Sequence, residues 1–108
     1  MDICNVILDS SNEHEIYFLL TSYIQTLRYR RRLDPLPRRV MTLPLNDLDD
    51  VRVRFIALAV PLADTSFPLD VRTRPALQEA ARVFGAALHR LSALKMEESA
   101  ALPLATAA

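Results

Sequence analysis

The chain has 108 residues, with 13 basic and 13 acidic side chains, 7 prolines, one glycine and one cysteine. That length accommodates one compact domain. A hydrophobic content of 51% excludes a wholly disordered chain or a collagen, and one cysteine excludes a disulfide scaffold. The single glycine, Gly85, also excludes a glycine-rich phosphate loop, which needs several residues without Cβ close together.

The first residues, Met1-Asp2-Ile3-Cys4-Asn5-Val6-Ile7-Leu8, carry an early acid and no basic stretch, unlike a secretory signal. They read as a short helical or extended segment, with Cys4 as a small buried thiol. Residues 12–32 carry the strongest helical pattern. Ser10 with Glu13, and Asn12 with Glu15, stand at capping-box spacing. Ile16, Leu20, Tyr23, Ile24 and Leu27 then recur at threes and fours, which places them on one face. Acids begin the segment and arginines end it, as the helix dipole prefers. Pro35 and Pro37 cannot continue it.

Residues 33–45 hold three prolines and read as an extended connector. In residues 46–60, Asn46 is a suitable N-cap and Asp47, Asp49 and Asp50 load the first turn with negative charge. Leu48, Val51, Phe55, Leu58 and Ala59 keep helical spacing, and Asp50 with Arg54 forms an i,i+4 pair of favourable order. The alternation Val51-Arg52-Val53-Arg54-Phe55 would equally suit a half-buried strand, but caps and length favour a helix. A second proline-flanked loop, residues 61–72, leads to a helix over 74–95. Thr73 is its cap and Pro75 lies in its first turn. Leu77, Phe84 and Leu91 repeat every seven residues, as do Ala80, Ala87 and Leu94, beside Ala81 and Leu88. The frames D-V-R-x-R at Asp50 and Asp70 share too few matches to define a repeat.

These elements predict an all-α fold. Residues 1–96 form a small bundle of three main helices with proline-rich connectors, and residues 97–108, alanine-rich and broken by Pro103, form a flexible tail. The alternative is α+β, with residues 3–8, 39–43 and 51–60 as strands. The longest apolar run, residues 55–63, is interrupted by Pro61 and falls short of the roughly 20 residues a membrane span needs. No membrane association and a cytoplasmic address are therefore expected.

Charge is the most conspicuous feature. All basic residues but Lys95 are arginines, and residues 28–39 carry a net charge of +5 between a segment of −4 (residues 1–27) and one of −3 (residues 40–70). Arg28, Arg30, Arg31, Arg32, Arg38 and Arg39, with Tyr29 interleaved, would suit a polyanion, because guanidinium forks pair with phosphate and a ring stacks on a base. The competing reading, favoured by the neutral whole chain, pairs these arginines with the acids on either side. His14 and His89 lack the i,i+4 partner of a metal site, and neither a metal nor a cofactor is expected. Ser10, Ser11 and Thr73 are accounted for as caps, so no nucleophile–base pair emerges and the chain reads as non-catalytic.

The leading expectation is a protein that acts through self-association, as a homodimer, or by binding another protein. Its contact surface would be a stripe on the last helix: Leu77, Phe84, Leu88 and Leu91 with Ala81 and Gly85 as a close-approach patch. Small residues spread around much of that helix, which would let it pack on its own domain and on a second copy. Nucleic-acid or polyanion binding through residues 28–39 is the alternative.

Overall fold

A computed structural model describes residues 2–29, 36–42, 44–64 and 71–107, with side chains described as far as residue 98. It contains α1 (Ile3–Asp9), α2 (Glu13–Tyr29), α3 (Arg38–Met41), α4 (Leu48–Ala63) and α5 (Thr73–Ala107). The fold is all-α, with α2, α4 and α5 as its main helices. Each segment of the α+β alternative is helical instead: residues 3–8 lie in α1, residues 39–41 in α3 and residues 51–60 in α4.

Local chemistry explains the boundaries. Asp2 opens α1 by accepting the Cys4 N–H at 3.2 Å. Asn12 caps α2, its Oδ1 accepting the His14 N–H at 3.0 Å. The Ser10 hydroxyl, in the turn between these helices, donates to the Asn12 carbonyl and to Glu15. Asp47 rather than Asn46 is the N-cap of α4. Its Oδ1 accepts the Asp50 N–H at 2.9 Å while Asp50 Oδ2 accepts the N–H of Asn46, the residue before the cap, at 2.9 Å. The helix runs past Pro61 to Ala63, because a proline in the last turn forfeits one hydrogen bond and the Asp64 N–H still reaches the Val60 carbonyl at 3.0 Å. Helix α5 continues to Ala107, past Pro103 and beyond Lys95 where the sequence predicts its end; Met96 to Leu102 are mostly good helix formers.

Helix α5 is the axis of the molecule. Arg82 Nη1 meets Asp2 Oδ2 at 3.1 Å and Arg90 Nε donates to the Ser10 carbonyl at 2.6 Å. Asp2 to Ser10 and Arg82 to Arg90 each span about 12 Å of helical rise, so α1 lies parallel to α5 and is held at both ends. Helix α2 returns antiparallel: Glu13 shares a cleft with Leu94, whereas Tyr23 feels the charges of Glu79 and Arg82. Helix α4 is antiparallel too, with Leu48 near Lys95 and Phe55 against Gly85. Ile7, Ile16, Leu20, Ile24, Val51, Leu58, Val83 and Phe84 are fully buried among these four helices.

Candidate functional site

The stripe expected to meet a partner lies inside the protein. Leu77, Phe84 and Leu91 are buried, and Ala81 and Leu88 are half-buried against the same core. A Cβ on Gly85 would stand 3.1 Å from the Phe55 ring, so the close approach that this glycine permits is to α4 of its own chain. The small residues surround α5 because α1, α2 and α4 all pack on it. What α5 leaves exposed between Arg74 and His89 is polar apart from Pro75: Arg74, Gln78, Glu79, Arg82 and His89.

The arginine patch is reached in part. Arg30, Arg31 and Arg32 lie outside the described residues. Arg28, Arg38 and Arg39 are exposed, and none of them has a carboxylate within ion-pair distance among the described residues. Arg28 Nη2 donates to the Met41 carbonyl at 3.4 Å, which draws the end of α2 to α3, and Tyr29 beside it is exposed. Among the described residues, pairing with the flanking acids is therefore not what these three side chains do.

The acids gather elsewhere. The N-terminus of α2 meets α5 around a cleft of about 630 Å³ whose charged lining is Glu13, Glu97 and Glu98 with His14, and the N-terminus of α4 joins them at a smaller one of about 170 Å³ between Glu13, Tyr17, Asp47 and Lys95. Burial, aided by Glu13, Asp47 and Asp50, raises the Tyr17 pKa. No three His, Cys, Asp or Glu side chains among the described residues are placed to hold a metal ion. Cys4 is buried, and desolvation, then the Asp2 charge, pushes its thiol pKa up. Ser10 is buried as well and fully engaged in the α1–α2 turn.

Helix α4 carries the unusual distribution. Arg54 is buried while its neighbours Val53, Ile56 and Val60 are 40%, 51% and 58% exposed. The Arg54 guanidinium donates to the Asp50 carbonyl at 2.8 Å, to the Thr42 carbonyl through both Nε (3.1 Å) and Nη2, and to the Pro44 carbonyl at 3.4 Å. The expected pair with the Asp50 carboxylate is met only at 4.0 Å. Burial lowers the Arg54 pKa and Asp50 opposes that shift. Thus Arg54 fastens the passage after α3 to α4, on the same face as the buried Val51 and Leu58. With Val51, Arg54 and Leu58 turned inward, spacing of three and four residues puts Val53, Ile56 and Val60 together on the opposite side. Arg52, paired with Asp49, borders that strip. Phe18 and Tyr29 are also exposed, but they stand eleven residues apart on α2 with polar side chains between them.

Sequence reasoning missed this strip, although its signal was present: α4 is apolar on two faces, 51/55/58/62 and 53/56/60. Among the described residues no helix is long and apolar enough to cross a membrane. Comparison with protein-family models, with curated proteins and with solved structures finds no match for this chain.

Proposed function

We propose that this chain is a small, non-catalytic cytoplasmic protein that works by protein–protein contact through the outer face of α4. The observation that carries the reading is the second apolar face of α4: with Val51, Leu58 and Arg54 turned in, Val53, Ile56 and Val60 are turned out. An exposed row of large aliphatic side chains on one helix is what an interaction face needs, whereas scattered exposed hydrophobics need no explanation. A photo-crosslinking residue at Ile56, in cells making the protein, tests it. Adducts should form at Ile56 and not at the exposed Gln25 on α2. No adduct at Ile56 ends the proposal.

Polyanion binding is a second reading. It is favoured by Arg28, Arg38 and Arg39, which are exposed, have no carboxylate partner among the described residues, and are clustered by the Arg28–Met41 hydrogen bond. On this reading affinity for single-stranded nucleic acid falls steeply with salt. Replacing Arg38 and Arg39 with alanine should flatten the logarithmic slope by roughly 0.7 for each phosphate they had neutralised. No binding at low salt removes it.

A further inference from the structure

Resting on the reading of α4 as an interaction face, we infer that its occupant is the same face of a second copy, with the two helices antiparallel about a two-fold axis beside Leu58. The order of side chains along the strip carries this. The Asp49–Arg52 pair stands at the N-terminal end, Val53, Ile56 and Val60 follow, and Ala63 and Asp64 close the C-terminal end, all of them exposed. When Ile56 is set against Val60 of the other copy, symmetry sets Val53 against its Ala63 and Arg52 against its Asp64. Each apolar side chain of the strip is then covered, and a guanidinium meets a carboxylate at both ends.

A parallel pairing does the reverse. It stacks Arg52 on Arg52 and Asp64 on Asp64, with the two helix dipoles aligned, and like charges face to face are destabilising. Asp49 already engages Arg52 within its own chain, and Asp64 also has a partner there. A carboxylate has acceptor sites for a further donor and a guanidinium has five N–H groups, so both residues can serve the second copy while keeping their partners at home. Four apolar side chains from each copy cover less than the roughly 800 Å² per partner of a standard interface, which makes this a weak dimer with Kd on the order of 100 μM.

Sedimentation velocity from about 10 μM to about 1 mM should show a reversible monomer–dimer equilibrium. A mixture of Ile56→Cys and Val60→Cys chains should form a disulfide-linked dimer under mild oxidation, since native Cys4 is buried and does not compete. Val53→Cys alone should not link to itself, because the two copies of that position are offset by about 15 Å along the axis. Arg52→Asp and Asp64→Arg should each weaken the dimer about tenfold while leaving the circular dichroism unchanged, and the combined variant should recover it. A strict monomer throughout, or self-linking of Val53→Cys, overturns the inference. If the chain is monomeric but Ile56 crosslinks to a different protein, the antiparallel dimer falls and the α4 face stands. No adduct at Ile56 removes both.

Discussion

Arg54 shows how one buried side chain ties a connecting segment to a helix. Its donors are spread over the Asp50, Thr42 and Pro44 carbonyls, and a planar fork reaches acceptors on two segments that a point charge cannot reach together. Replacing it with leucine takes the donor from the Thr42 and Pro44 carbonyls, and urea unfolding should show a loss of about 2 kcal/mol. Lysine should restore less than half of it. Tyr23 makes a second residue-scale prediction. Burial first, then the charges of Glu79 and Cys4, raise its pKa from 10.0 to about 12. The folded state therefore favours the neutral phenol. Its contribution to stability is complete below pH 10 and is lost as pH rises from 10 to about 12, where the native state binds more protons than the unfolded chain. The urea midpoint of the wild type should fall over that window, and Tyr23→Phe should fall less.

Between elements, the α4–α5 packing turns on Gly85. A glycine inside a helix costs about 1 kcal/mol against alanine, and here the Phe55 ring occupies the space that a Cβ would need, at 3.1 Å. Gly85→Ala therefore gains helix propensity and crowds the ring, with a net change near zero. In a Phe55→Leu background the clash is relieved, and the same substitution should be stabilising. The coupling measured by a double-mutant cycle should be at least about 0.5 kcal/mol, and strict additivity would show that the ring and the glycine do not compete. Element boundaries follow the same short-range logic. Asn12, Asp2 and Asp47 each satisfy an N–H that the helix itself leaves open.

Across the molecule, α1, α2 and α4 are related chiefly through α5. Among the described residues Phe84 is the largest side chain buried to completion, and Phe84→Ala removes about 3–5 kcal/mol from a fold whose total stability is typically about 5–15 kcal/mol. Because the other helices pack on this one axis, far-UV and near-UV dichroism should lose signal in one coincident thermal transition at lower temperature. Separate transitions would mean that α1 and α2 hold together without α5. In contrast, Ile56→Lys changes a solvent-facing position and should alter stability by less than about 0.5 kcal/mol.

Helix class, the Asn12 cap of α2 and the apolar spacing of α5 were legible in the chain itself, since each depends on residues within a few positions of one another, whereas the cap of α4 is Asp47 and not the expected Asn46. Leu77, Phe84 and Leu91 announce a buried face by their spacing alone. Tertiary structure alone decided what buries them. The alanines and Gly85 of α5 are consistent with any close neighbour, and the neighbours turn out to be helices of the same chain. The inward stripe of α4 was also legible, since Leu48, Val51, Phe55 and Leu58 keep helical spacing and pack in the core. What only tertiary structure decided is that Arg54 goes inward with them, drawn by the carbonyls of Thr42 and Pro44 outside the helix, and that among the described residues no element covers the second stripe, so Val53, Ile56 and Val60 stay in water.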